Sequence, residues 1–275
     1  MKKTLPVVFS EFLNAKGKTL RGFLRLPDAH KRKDHAVVCL PGFERCANET
    51  KFTVLANELV DHGISTLRFD YTGLGESDGD FRNTTVEGLA GDFHEALKTI
   101  DAYEHASIFA HSLGACVLAQ HMKEYPNWKF KRIVLLSPAL DQASLQRYYF
   151  VQREAKSLPW PIAPEINWEN FRSYLDEGQF LMDCKRKERM VKRHYMSCAY
   201  SLENQEADYH KPFVNKRNVL VVSGLCDTVV PGASLKRPLI DRFITITQGD
   251  HDMERPDLLA SWMKPVVNFI AAKRK

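Results

Sequence analysis

No two of the six cysteines stand in a Cys-x-x-Cys pair, so the ligand spacing of a zinc knuckle and the pairing of a thioredoxin-like redox site are both missing. No apolar run approaches the ~18 residues that mark a membrane span, and no stable membrane insertion is expected. The stretch from Met1 to Glu11 superficially looks like a secretory leader. Its apolar core is shorter than the roughly 7–15 residues a leader needs, and Glu11 interrupts it. Neither sign of charge dominates. Lys and Arg number 39 against 34 Asp and Glu, for a formal net charge of +5. That is a mixed surface, not the clustered basic footprint of a nucleic-acid-binding protein. There is no internal repeat and no low-complexity tract. A cytoplasmic chain with reduced thiols is the expectation. Cys39, Cys116 and Cys226, in or beside apolar patterns, are expected to be small buried hydrophobes.

What is present is a 44% hydrophobic chain of 275 residues, enough for a large core. Short apolar runs recur as expected strands: Leu20 to Leu26 (pairing with the region of Val7–Phe9), Ala36 to Leu40, Ile64 to Tyr71, Ser107 to Ala110, Arg132 to Leu136, Val219 to Gly224, and Phe243 to Thr247. Helical spacing fills the gaps at Lys51 to Asp61, Thr85 to Tyr103, Leu113 to Tyr125 and Pro256 to Ala272. Continuous apolar strands joined by helices predict an α/β fold, a mostly parallel sheet with helices on both faces. Ligands in such sheets bind beyond the carboxyl ends of the strands. One segment departs from the alternation. Between Pro138 and Val219 about 80 residues show no clear strand, far beyond an ordinary connection. The segment is rich in aromatics (Tyr148, Tyr149, Phe150, Trp160, Trp168, Phe171, Tyr174 and Phe180). It is expected to be an inserted, mostly helical cap over residues 139–214, on a core of 1–138 and 215–275.

Ser107-Ile108-Phe109-Ala110-His111-Ser112-Leu113-Gly114-Ala115 is the stretch that speaks most directly to chemistry. An apolar strand breaks at Ser112, a helix follows, and small residues stand two before it and two after it. This is the layout of a nucleophile elbow, where strand and helix nearly touch and a serine hydroxyl is held exposed in a strained turn. A lone serine at such a junction is more often only a helix cap. Here the small flanking residues favour a nucleophile.

Together with Leu67-Arg68-Phe69-Asp70-Tyr71-Thr72-Gly73-Leu74-Gly75-Glu76-Ser77-Asp78-Gly79, this stretch resembles the α/β-hydrolase superfamily, in its serine esterase and aminopeptidase-like branch. The resemblance covers nearly the whole chain outside the insertion. It implies an acid in the turn after Val221-Val222-Ser223-Gly224-Leu225-Cys226, which is Asp227. It implies a histidine after the last strand, in Gln248-Gly249-Asp250-His251-Asp252, which is His251. The order Ser112, Asp227, His251 is the one this fold uses. His251 would serve as general base to Ser112, and Asp227 would hold the imidazole. The oxyanion-hole N–H groups would come from Leu113 and from Phe43, in the loop Pro41-Gly42-Phe43-Glu44. Members commonly carry His-Gly where this chain has Pro41-Gly42, and glycine where it has Ala110. The implied activity is hydrolysis of a small-molecule carboxylic ester or thioester through an acyl-serine, with no metal or organic cofactor. An acyltransferase sharing the acyl-enzyme, and a non-catalytic binding protein on the same fold, are the alternatives.

Several neighbouring residues invite a role that the pattern does not require. Asp250 and Asp252 are expected to be loop residues, His111 to point away from the serine hydroxyl, and Asp70 to brace the loop after its strand. The basic run Lys185-Arg186-Lys187-Glu188-Arg189-Met190-Val191-Lys192-Arg193-His194 reads as a solvated helix face, with steering of an anionic substrate as the sharper alternative.

Overall fold

The computed structural model describes residues 7–157, 164–191, 194–236 and 241–272. Trp160, Lys192 and Arg193 therefore lie outside the described residues. The framework is an eight-stranded sheet. Its strands are β1 (Val7–Leu13), β2 (Thr19–Arg25), β3 (His35–Leu40), β4 (Ser65–Phe69), β5 (His105–His111), β6 (Phe130–Leu136), β9 (Val219–Gly224) and β10 (Phe243–Ile246). Their spatial order is β1-β2-β4-β3-β5-β6-β9-β10. β1 pairs antiparallel with β2, and β2 with β4; every other pairing is parallel.

The central strands are apolar on both sides because both faces are covered. Ala36, Val38 and Leu40 of β3 point into one cluster, with Leu89 and Phe93 of helix α2 (Val86–Lys98) and Val117 of α3 (Leu113–Glu124). Val37 and Cys39, alternating with them, point into the other cluster, with Phe52, Leu55 and Leu59 of α1 (Thr50–Asp61) and Trp262 of α7 (Pro256–Ala271). β5, β6 and β9 divide their side chains between the two clusters in the same way. A period of two that buries both phases is the physical reason these strands read as unbroken apolar runs.

α2 stops at Lys98, short of the expected Tyr103. Three-residue turn bonds take over, from Ile100 N–H to Leu97 O and from Tyr103 N–H to Ile100 O. The apolar spacing continues past the helix because Ile100 and Tyr103 still pack on the core.

The chain between β6 and β9 forms α4 (Gln142–Ser157), α5 (Glu177–Cys184), a two-stranded antiparallel hairpin of β7 (Glu188–Val191) and β8 (His194–Ser197), and α6 (Ala199–Asn204). The hairpin is a departure from the strandless segment expected there. The basic run that reads as a helix face lies at the end of α5 and in β7, with Lys185, Arg186 and Lys187 exposed and Arg186 paired to Asp183.

Candidate active site

Ser112 follows β5 directly and opens α3. Its backbone sits at φ 51°, ψ −115°, a region that costs a non-glycine residue strain and is held only by its surroundings. Those surroundings leave little room. A methyl group added at Gly114 would collide with the carbonyl oxygen of Leu40, at the end of β3. One added at Gly42 would lie 3.2 Å from Ser112 Cβ. The loop after β3 and the start of α3 thus meet backbone to backbone. Ser112 N–H donates to Leu136 O, and the Ser112 carbonyl accepts from Ala139 N–H, so the turn is tied to β6 and the chain beyond it.

Two further loops converge on this point. The loop after β9 carries Asp227, whose Oδ1 accepts from the backbone N–H of Val229 and Val230 at 2.9 and 2.8 Å. The loop after β10 carries His251. His251 Nδ1 lies 2.9 Å from Asp227 Oδ2, and His251 Nε2 lies 3.0 Å from Ser112 Oγ. Ser112 is 6% and Asp227 5% exposed, so the chain of three groups runs through a largely dry site. Each of the three side chains expected to meet is in hydrogen-bond reach of the next. Among the described residues no hydrogen bond uses the backbone N–H of Phe43 or of Leu113. A cavity of about 550 Å³ opens over the Asp227 turn, between Tyr148 of α4, Trp168, and Leu225 and Thr228. That is within the range of small-molecule sites.

The loop that bears His251 is held by groups beyond the expected set. His111 is fully buried, and its Nε2 lies 3.1 Å from the carbonyl oxygen of His251. Burial pushes the His111 pKa well below the ordinary histidine value, with the nearby Lys51 charge adding to the effect. The ring is therefore neutral and carries one N–H, which the carbonyl fixes on Nε2. Arg45 clamps Asp252 through one guanidinium nitrogen, at 2.6 and 2.7 Å from the two carboxylate oxygens. Lys51, fully buried, pairs with Glu49 at 3.0 Å and Glu254 at 3.2 Å. Asp252 is thus an anchor as well as a loop residue. The pairings with Asp252 and Glu254 join positions more than 200 residues apart, 207 for Arg45 and Asp252 and 203 for Lys51 and Glu254. Their one trace in the sequence is opposite charge in two distant stretches, Arg45 to Lys51 and Asp252 to Glu254.

Asp70 behaves as the loop brace expected of it, accepting from the N–H of Ala47 and of Glu76. Cys226 does not behave as expected: it is exposed, whereas Cys39 and Cys116 are buried. The apolar β9 ends at Gly224, so Cys226 already belongs to the turn, and its side chain falls on the solvent side.

The family model for serine aminopeptidase, S33, matches residues 31–242. The chain belongs to this family of α/β hydrolases. The matched stretch contains Ser112 and Asp227 and ends before His251. Among curated proteins, the palmitoyl-protein thioesterase ABHD10, mitochondrial, of Rattus norvegicus is 25% identical over 224 residues, 78% of this chain and 68% of that protein. Among solved structures, a putative hydrolase from Agrobacterium vitis S4 superposes with a TM-score of 0.71 at 18% identity, over 96% of this chain and 99% of that one. Mouse alpha/beta hydrolase domain-containing protein 10 gives 0.67 at 18% identity, over 96% and 98%. Est1E from Butyrivibrio proteoclasticus, with ferulic acid bound, gives 0.67 at 18% identity, over 96% of both chains. At these identities the structural likeness concerns the α/β-hydrolase fold. No helix among the described residues is long and apolar enough to cross a membrane.

Proposed function

We propose that this α/β hydrolase is a cytoplasmic serine hydrolase cleaving a small-molecule carboxylic ester or thioester through an acyl-Ser112 intermediate. The observation that carries the reading is the pair of distances about His251, 3.0 Å to Ser112 Oγ and 2.9 Å to Asp227 Oδ2. An unaided serine hydroxyl is too weak a nucleophile at neutral pH. His251 Nε2 takes the proton of Ser112 as the hydroxyl attacks the acyl carbon, then returns it to the departing alcohol or thiol. Asp227 holds the Nδ1 proton and stabilises the imidazolium. The N–H groups of Leu113 and Phe43 donate to the oxygen that gains charge. Water, activated by His251, then releases the acid. Residues 139–214 act as a cap in this reading. Tyr148 and Trp168 contribute an apolar wall beside Asp227. This chemistry requires no metal or organic cofactor. The thioesterase name of the rat relative favours including thioesters.

The test is hydrolysis of p-nitrophenyl esters from acetyl to palmitoyl by wild type and Ser112→Ala, together with labelling by a fluorophosphonate. Wild type should turn over and become labelled on Ser112. The alanine variant should lose about 10⁶-fold in kcat, as a dissected serine protease does. Equal activity in the two proteins, or an unlabelled wild type, rejects the proposal.

A further inference from the structure

Phe43 stands in a loop that does little to fix its own backbone. Gly42 before it brings no side chain to hold the peptide plane between them. Glu44 after it sits at φ 55°, a conformation that costs a non-glycine residue strain and is held by its surroundings. Those surroundings are aromatic. The Phe43 ring lies 5.4 Å from that of Phe81, edge to face at 70°, and 5.4 Å from that of Tyr200, tilted at 58°. Such pairs have preferred geometries and so fix a ring's direction as well as its burial. Phe81 opens the short 3-10 turn Phe81–Asn83 and is buried. Tyr200 is buried in α6, in the segment between β6 and β9.

Tyr200 is itself held firmly. Its helix is pinned by Glu203, whose carboxylate accepts from the N–H of Val86 and of Glu87 at 2.5 and 2.8 Å, at the start of α2. Its hydroxyl donates to Gln142 Oε1 at 2.9 Å, and Gln142 Nε2 donates to Ala139 O at 2.8 Å. Ala139 N–H in turn donates to the Ser112 carbonyl at 3.2 Å. One side chain thus reaches both places that would supply the oxyanion donors. Its ring packs on Phe43, and its hydroxyl leads through Gln142 and Ala139 to the turn that carries Leu113.

We propose that Tyr200 is a positioning residue for the oxyanion hole, seating the Phe43 ring so that the Phe43 N–H keeps its aim beside that of Leu113. This rests on the hydrolase reading above. Tyr200 acts through Phe43 and has no contact with substrate to make. A donor slightly out of line still tolerates a bound trigonal ester, but it stabilises the charged oxygen of the transition state less. Loss of the ring should therefore reach kcat and leave KM.

The test compares wild type with Tyr200→Leu, Tyr200→Phe and Tyr209→Leu on the best p-nitrophenyl ester, and measures inhibition by a trifluoromethyl ketone of the same chain length. That ketone adds to Ser112 and places a negative oxygen in the hole, so its Ki reports the donors directly. Tyr200→Leu should lower kcat about 10–100-fold with KM little changed, short of the loss of a whole donor. Its Ki should rise by about the same factor. Tyr200→Phe keeps the ring and should recover most of the loss. Tyr209 is equally buried and bonded to Asn204 of α6, but among the described residues its ring has no contact with Phe43, so Tyr209→Leu should keep the wild-type kcat and Ki. The idea is overturned if folded Tyr200→Leu keeps both, or if Tyr209→Leu loses them equally, which would mean general loosening; the hydrolase reading stands in both cases. An inert wild type with no fluorophosphonate label on Ser112 rejects both readings. Should Tyr200→Leu not fold by circular dichroism, Tyr200→Met, whose flexible side chain refills uneven space, takes its place with the same expected split.

Discussion

At the scale of single residues, the local pattern around Ser112 was legible because an elbow constrains its neighbours sterically: Gly114 leaves no space for a side chain against Leu40. Asp227 and His251 were legible only through the family resemblance, which implies an acid and a histidine in the turns after the last two strands. The groups that hold the histidine loop were not, since a pairing such as Arg45 with Asp252 is made by tertiary structure alone. His111 belongs to this second set: its Nε2 holds the His251 carbonyl, and on the proposed reading it is a positioning residue acting through His251. Replacing it with Phe removes the N–H that the His251 carbonyl accepts. We expect kcat to fall about 10–100-fold with KM little changed, as for small misplacements of a reacting group, and His111→Gln, which keeps a donor, to recover part of the loss. Steady-state kinetics of the two variants checks this, and equal kinetics for Phe and wild type would remove His111 from the set. Asp227→Asn should keep the fold while lowering kcat about 10⁴-fold by leaving the wrong imidazole tautomer, read as ester turnover beside an unchanged melting temperature.

At the scale of elements, the sheet was readable because β3, β5, β6 and β9 are apolar in both phases of the pleat. The β7–β8 hairpin was not. Its strands are four residues each, Glu188–Val191 and His194–Ser197, too short and too polar to announce a buried face. The contact of greatest consequence between elements is the one between α3 and the end of β3, where Gly114 faces the Leu40 carbonyl. Gly114→Ala must push the helix away from the strand. It should lower stability by about 1–3 kcal/mol, the cost of overpacking a tight core, and cut turnover more than stability alone explains, because Ser112 moves with the helix. Urea unfolding set beside ester hydrolysis separates the two effects. An alanine variant as stable and active as wild type would mean the junction has slack.

At the scale of the whole molecule, burial of histidine gives stability a direction in pH. His35, bonded to Ser107 Oγ at 2.8 Å, and His121, in the aromatic cluster with Phe93 and Tyr125, are both fully or nearly buried. Desolvation lowers each pKa from 6.5 to about 3. An unfolded chain binds these protons near pH 6.5, while the folded one does not bind them until about pH 3. Stability is therefore full above pH 6.5 and declines as the pH falls from there toward 3. Calorimetry at pH 7.5, 5.5 and 4.5 should show the melting temperature dropping at each step, and His121→Phe should flatten the slope. The charge balance visible in composition gave no hint of this, because titration depends on where a histidine is buried and not on how many there are. The clamp on the histidine loop also has a bearing on biosynthesis. Arg45 and Lys51 leave the ribosome more than 200 residues before Asp252 and Glu254, their partners. On the proposed reading, the nascent chain displays Ser112 without its base until His251, 139 residues later, has been made. On that reading, acyl donors around the ribosome meet the growing polypeptide inert until that histidine has joined it.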